Sequence, residues 1–286
     1  MRFAVIGDLG MFGSDMKSHL SLNGFEVEGF NRSNIDLGLA EEFLESKLAG
    51  FDVVINAVAY TAVDNAEIER ELANQINGYI PGKLARASAQ AGAKFIHIST
   101  DYVFDGSASS PISPVHELNP INAYGRSKAL GEKRVSESGA DFVILRTCWL
   151  YGSNGNCFPR TIGKKVLAGE SVSVVGDQFG QPTWTRDLAE VALAHSLNNF
   201  DERIVHAVSS GQASWYEFAL AIKDSLLGNQ TFEIQSVASF DYQLPAKRPK
   251  YSVLDNTNTS GPVIGNWLDR WQIAAPEVLG SVQESM

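Results

Sequence analysis

Hydrophobic and polar positions alternate between two rhythms through the first half of the chain. Residues 2–6 form a short apolar run that ends at a glycine, which reads as a buried strand. Residues 11–22 then set Phe12, Met16 and Leu20 at four-residue spacing, the stripe of a helix. Residues 25–30 read as a second strand. Residues 39–48 bring Phe43, Leu44 and Leu48 to one side of a helix. The run FDVVINA at 51–57 is continuously apolar, as in a strand covered on both faces of a parallel sheet. Residues 64–90 read as mostly helical, 94–98 as a fourth strand, 123–138 as a helix and 142–146 as a fifth strand. Strands alternating with helices predict βαβ units, right-handed crossovers and a doubly wound parallel sheet.

After residue 150 the rhythm loosens, and Pro159, Pro182, Pro245, Pro249 and Pro262 punctuate it. Helices are expected at 158–168, 185–197 and 214–227, with short strands at 172–175 and 204–208. The predicted architecture is α/β: a Rossmann-like doubly wound parallel sheet with a smaller mixed α/β substrate-binding lobe. Residues 1–150 would form the dinucleotide-binding domain, to which some later segments return. Residues 151–286 would form the lobe at the C-terminal edge of the sheet, where ligands of such folds bind.

Composition narrows the partners. The 286 residues suit one large domain or two small ones, and 44% hydrophobic with 20% charged residues marks a globular chain rather than a disordered one. Thirty-three acids against 23 bases leave a net charge of −10. Such a chain repels a phosphate backbone and gains little from an anionic bilayer, so neither nucleic acid nor membrane is an expected partner. No apolar stretch reaches the roughly 18 to 20 residues of a membrane span. Residues 1–7 are too short and strand-like for a signal peptide. Cys148 and Cys157 are too few for a disulfide framework or a cysteine zinc site, and the five histidines lack ligand spacing. The expected compartment is the cytoplasm.

Chemistry enters at Gly7-Asp8-Leu9-Gly10-Met11-Phe12-Gly13, a G-x-x-G-x-x-G loop that follows a strand and opens a helix. Its glycines permit a tight turn and close approach to a pyrophosphate, and the helix start offers free N–H groups. Gly7, Gly10, Met11, Phe12 and Gly13 are therefore candidate cofactor contacts. The second strand ends in Phe30-Asn31-Arg32-Ser33. A carboxylate there would favour NAD; the neutral Asn31 and cationic Arg32 point instead to the 2′-phosphate of NADPH, with NADH as the alternative donor. Asp36 and Leu37 either cap the adenine pocket or mark the approach to a helix.

Tyr124-Gly125-Arg126-Ser127-Lys128 sets a phenol and an ammonium four residues apart, on one face of a helix. The ammonium is expected to stabilise the phenolate and lower the phenol pKa, which suits general acid catalysis. Thr100 directly follows the fourth strand and leaves the sheet at its C-terminal edge. Its hydroxyl can hydrogen-bond a substrate carbonyl oxygen.

These segments, with Ser99-Thr100-Asp101-Tyr102-Val103-Phe104-Asp105-Gly106, resemble the extended short-chain dehydrogenase/reductase superfamily. Further stretches are similar to the dTDP-4-dehydrorhamnose reductase family. They are Asn56 to Asp64, Arg146 to Tyr151, Asp177 to Thr183, Ser214 to Ala219, and Arg248-Pro249 with Leu254-Asp255. The resemblance implies that Tyr124 protonates the C4 carbonyl oxygen, that Lys128 binds the nicotinamide ribose, and that Thr100 holds the reacting oxygen. It implies that Asp101 and Trp149 touch the sugar, that Ala59, Tyr60 and Thr61 line the cofactor, and that Asn31 or Arg32 recognises its ribose. Tyr60 departs from members that carry His there.

The implied reaction is NADPH-dependent reduction of dTDP-4-dehydro-6-deoxy-L-mannose to dTDP-L-rhamnose, by a monomer or homodimer. The rivals are a reductase of another nucleotide-linked 4-keto-6-deoxy sugar and a non-catalytic regulatory subunit like that of methionine adenosyltransferase. Some family members bridge dimers with magnesium. Here Asp15 could serve, but Trp184-Thr185-Arg186-Asp187 sets a cation where a ligand belongs, so no metal is predicted.

Overall fold

The computed structural model describes residues 1–228, 230–241, 243–257 and 259–283. Six strands pair in parallel as one sheet: β1 (Arg2–Ile6), β2 (Glu26–Phe30), β3 (Val53–Asn56), β4 (Lys94–Thr100), β5 (Phe142–Thr147) and β6 (Ile204–His206). Their spatial order is β6-β5-β4-β3-β1-β2. The chain builds outward to β2 and then crosses to the other side of β1. That reversal between β1 and β3 is the switch point where such sheets open a crevice.

Helices cover both faces. On one, α1 (Met11–Leu22) packs Phe12, Met16 and Leu20 over Phe3 and Val5. On the other, α2 (Glu41–Leu48) presses Leu44 and Leu48 against Ala4, Ile6 and Val54. The sheet is apolar on both sides because both sides are buried.

Residues 64–90 are not one helix. A single 3₁₀ turn at Asn65–Glu67 leads into α3 (Arg70–Asn74), a π-helical stretch at Gln75–Tyr79, and α4 (Ile80–Gln90). The widened turn brings Gly78 against Leu130 of α5 (Ala123–Ser136), where a Cβ would collide with the leucine side chain. Gly131 of α5 in turn lies on the Asn77 carbonyl. Close packing between these helices overrides the regular α repeat.

Beyond residue 150 come α6 (Phe158–Leu167), α7 (Thr185–Leu197) and α8 (Trp215–Leu227), close to the expected bounds. α7 joins α1 on the sheet, burying Leu188, Val191 and Ala192 beside Met16. The remaining strands are short pairs: Val172–Val175 with Ile234–Val237, Phe179–Gly180 with Ala213–Ser214, Leu150–Tyr151 with Thr183–Trp184, and Ser209–Ser210 with Ile264–Asn266. α6, α8 and α9 (Trp267–Gln283) surround a second core that contains Ile162, Phe218, Trp271 and Val278. The sequence reading had no helix at α9. Its stripe of Trp271, Ala274, Ala275, Val278 and Leu279 carries the signal, which Pro276 inside the helix obscures. Among the described residues no helix is long and apolar enough to cross a membrane.

Candidate active site

The glycine loop begins where β1 ends. Gly7 adopts a left-handed φ of 90°, and its N–H donates to the Phe30 carbonyl at 2.6 Å, tying the loop to β2. A Cβ at Gly13 would overlap the Gly7 carbonyl oxygen, so only glycine lets α1 start this close to the strand. α1 opens at Gly10 without a side-chain cap, which leaves its first N–H groups for an anion. Phe12 is 6% exposed and its ring belongs to the core, so only its backbone faces the loop.

Asn31 does not offer a free amide. Its Nδ2 donates to Asp8 Oδ1 at 3.0 Å, and its Oδ1 accepts from the Ser33 backbone N–H and hydroxyl. Burial pushes Asp8 up, but hydrogen bonds from Lys17 and Asn31 outweigh it and hold the carboxyl below its ordinary value. Arg32 beside it is exposed and makes no ion pair or hydrogen bond among the described residues. Asp36 caps its own turn through Gly38 N–H, and Leu37 packs under α2.

After β3, Ala57 and Val58 lie against Gly7 of the glycine loop, and residues 59–61 follow them. The Tyr60 backbone is held from both sides by Asn77: Nδ2 donates to the Tyr60 carbonyl at 3.0 Å, and Oδ1 accepts the Tyr60 N–H at 2.8 Å. Asn77 is carried by the π-helical stretch. The Tyr60 hydroxyl donates to Glu69, and its ring packs with Tyr124 against the cluster of Ala66, Ala73 and Ala123.

β4 delivers Thr100 and Asp101, and α5 delivers Tyr124 and Lys128. Asn122 caps α5 by accepting the Gly125 N–H at 2.7 Å, which fixes the first turn that carries Tyr124. Tyr124 hydrogen-bonds Thr100 and meets the Tyr102 ring edge-on at 5.7 Å. Lys128 is 2% exposed and donates to the Ile98 carbonyl at 2.6 Å. The expected lowering of the phenol is not what the structure gives. Burial pushes Tyr124 up to about 12, with only the Thr100 hydrogen bond pulling down. The Lys128 ammonium is itself pushed down to about 8 by burial, and its hydrogen bond is spent on backbone.

Beneath these residues lies an ion pair that sequence reasoning missed. Arg146 on β5 donates to Glu132 on α5 through Nε at 3.0 Å and Nη2 at 2.7 Å, and to the Pro114 carbonyl through Nη1. Both side chains are almost fully buried, and Ser99 adds a hydroxyl donor to Glu132. Glu132 lies one turn beyond Lys128 on the same face, at the i+4 spacing that a longer periodic reading would have caught.

A cleft of about 970 Å³ opens from Tyr102 between the two halves of the chain. Lys165, Lys247, Arg248 and Lys250 line it, with Gln178 and Trp215. Asp64 grips Arg248 through two hydrogen bonds of 2.6 Å, and that pairing holds the Asp64 carboxyl below its ordinary value. Trp149 lies flat on Trp215, centroids 3.5 Å apart, with a left-handed φ of 45°. A non-glycine residue in that region stores strain that the packing must hold, a common state beside ligand sites. The Asp101 side chain is 2% exposed and accepts from the Thr100 hydroxyl and the Cys148 thiol.

The magnesium site implied by the family does not fit these residues. Asp15 is buried and accepts from Thr185 and Asn154, while Arg186 pairs with Glu277 beside it. No group of three or more metal-ligating side chains gathers among the described residues.

A glycine loop at the switch point, with a buried Thr, Tyr and Lys set at the adjoining strand ends, defines a Rossmann-fold oxidoreductase of the Tyr-x-x-x-Lys class. The comparisons sharpen that class. The RmlD substrate binding domain family matches residues 1–284. A dTDP-4-dehydrorhamnose reductase of Burkholderia thailandensis is 39% identical, over 90% of this chain and 91% of that one. A probable dTDP-4,6-dihydroxy-2-methyloxan-3-one 4-ketoreductase of Streptomyces antibioticus is 34% identical, over 98% and 97%. The crystal structure of a Bacillus anthracis dTDP-4-dehydrorhamnose reductase in complex with NADP superposes with a TM-score of 0.88 at 32% identity, covering 95% of this chain and 98% of that one. This chain belongs to the dTDP-4-dehydrorhamnose reductase family.

Proposed function

We propose that this chain reduces the C4 ketone of dTDP-4-dehydro-6-deoxy-L-mannose to dTDP-L-rhamnose, with NADPH as the hydride donor. The observation that carries the reading is Tyr124, set beside Thr100 and packed edge-on against Tyr102, which itself lines the cation-rich cleft. The family relatives of that name and the NADP-bound neighbour support it. As part of the same reading, residues 1–150 hold the cofactor and residues 151–286 supply most of the substrate wall.

The residues fit the cofactor. The crowded Gly7–Gly13 turn and the uncapped start of α1 suit a pyrophosphate, and the unpaired Arg32 suits a 2′-phosphate. NADPH, when bound, supplies the hydride. Lys128 would hold the nicotinamide ribose from its buried position. Tyr124 keeps its proton at neutral pH, because burial sets its pKa near 12. It delivers that proton to the ketone oxygen as charge develops there, since an alkoxide is a stronger base than a phenolate. Thr100, whose hydrogen bond is what pulls the phenol down, stabilises the phenolate that remains. Lys165, Lys247, Arg248 and Lys250 oppose the charge of the diphosphate, overriding the net charge of −10 locally.

A second reading, reduction of another nucleotide-linked 4-keto sugar, is favoured by the likeness to the Streptomyces antibioticus protein. Gln178 and Trp215, with Trp149 stacked behind, are the side chains that would distinguish sugars. One assay separates the two: NADPH consumption against a panel of nucleotide-linked 4-keto sugars. The proposal expects fastest consumption with dTDP-4-dehydrorhamnose and recovery of dTDP-L-rhamnose. Faster turnover of a different keto sugar would replace the first reading by the second.

A further inference from the structure

Phe240 lines the cleft, yet its side chain is 81% exposed. A ring left in water forgoes the gain that burial brings, and this one is held in that state by its backbone. The strand Ile234–Val237, paired with Val172–Val175, ends just before it, and the Gly176 N–H donates to the Val237 carbonyl at 3.0 Å. Ser239 then donates to Asp177 twice, from its N–H to Oδ1 at 2.8 Å and from its hydroxyl to Oδ2 at 2.9 Å. The Asp241 N–H closes the turn on the Ala238 carbonyl at 3.0 Å. Phe240 therefore sits on a pinned turn rather than a loose loop.

A second anchor lies farther along the chain. The Ala246 N–H donates to Asp64 Oδ1 at 3.0 Å, and the Lys247 carbonyl accepts from Asn122 at 2.8 Å. Pro249 presses on Gly106, where a Cβ would come within 2.5 Å of the proline Cα. Phe240 is thus tied to the smaller lobe through Asp177, and residues 246–250 are tied to the sheet domain. From the lobe anchor to the sheet anchor, the cleft-lining side chains run Phe240, Leu244, Lys247, Arg248 and Lys250. Apolar side chains come first and cations second. Asn122 also caps the helix that carries Tyr124, so the cationic end is the one joined to the reacting centre.

A nucleotide sugar has the same polarity: base, diphosphate, sugar. With its ketone at Tyr124 and its diphosphate against the cations, its base reaches the Phe240 end of the cleft. We infer that the Phe240 ring is the platform on which the nucleobase of the substrate stacks. Every base offers a flat π face to an aromatic ring, and a ring carried by a fixed turn leaves little backbone freedom to be lost on binding. Val172 to Val175 supply apolar wall to the same cleft. Phe240 then sets affinity for the nucleotide end and takes no part in the chemical step. The inference rests on the substrate being a nucleotide-linked keto sugar.

Titration calorimetry on the full chain saturated with NADP+ tests it, with dTDP and inorganic pyrophosphate as probes. Saturation keeps dTDP out of the cofactor site. Phe240→Ala should weaken dTDP binding about tenfold and leave pyrophosphate within about twofold, whereas Phe240→Trp should bind dTDP at least as tightly as the wild type. With the keto sugar, Phe240→Ala should raise KM about tenfold while kcat stays within about twofold. The side chain is exposed, so its removal leaves no cavity and the variant keeps its thermal midpoint.

Unchanged dTDP affinity in Phe240→Ala overturns the inference. So does an equal loss for pyrophosphate, which would mean that the ring acts through the cations. A wild-type chain that binds dTDP through Phe240 but reduces no keto sugar would defeat the functional proposal and leave the base platform in place.

Discussion

Lys128 lies one helical turn after Tyr124, and burial decides when it loses its charge. Its ammonium is pushed down to about 8, with Glu132 pulling in the opposite direction. Below pH 8 the group is charged and can anchor the anionic cofactor; as pH rises through 8 it becomes neutral. Tyr124, held near 12, stays protonated across the same range. The kcat/KM for NADPH, which reports the free enzyme, should therefore fall with one proton above about pH 8. Lys128→Arg, with a cation that does not titrate, should move that limb upward. A flat profile to pH 10 would place the Lys128 pKa wrongly. Tyr124, Lys128 and Thr100 were legible because their spacing and their place after a strand are sequence facts. The direction of the Tyr124 shift was not, because it depends on how deeply folding buries the phenol.

At the scale of elements, β5 and α5 are joined by Arg146 and Glu132. Both charges are buried, so removing one partner strands the other. Arg146→Met should cost about 3–5 kcal/mol, read as a lower denaturation midpoint, and Arg146→Met with Glu132→Leu should recover much of the loss. Equal stability of the single and double variants would mean the pair is not coupled. The central strands were readable because each is a short apolar run flanked by turn residues. The segment 64–90 was not, since its interruption depends on Gly78 meeting Leu130 and on Asn77 meeting Tyr60, contacts between distant residues. The two-residue strands of the second half have no sequence pattern of their own. Tertiary pairing makes them, as with Phe179–Gly180 against Ala213–Ser214.

Across the whole molecule, three histidines are buried in neutral form. His97, His195 and His206 are at most 3% exposed, and burial pushes all three below the ordinary value, to about 4 for His195 and about 3 for His206. The unfolded chain binds these protons near pH 6.5, whereas the folded chain resists them. Stability is therefore full above 6.5 and is lost as pH falls below it. Between pH 7 and 5.5 His195 and His206 together should cost roughly 2.5 kcal/mol, with His97 acting in the same direction, seen as a falling thermal midpoint. A midpoint constant over that interval would mean the histidines open to solvent.

The same scale joins the two halves of the chain. The glycine loop and Tyr124 belong to the sheet, while three of the four cleft cations come from the 247–250 strap, pinned to the sheet domain by Asp64 and by Asn122, whose Nδ2 donates to the Lys247 carbonyl. Proton delivery by Tyr124 is where these parts converge. Tyr124→Phe keeps the ring against Tyr102 and removes only the hydroxyl. Turnover of NADPH with the dTDP-keto sugar should drop at least about 100-fold, while NADPH binds the variant within about twofold of the wild-type affinity. Turnover within a few-fold of wild type would contradict Tyr124 as the proton donor.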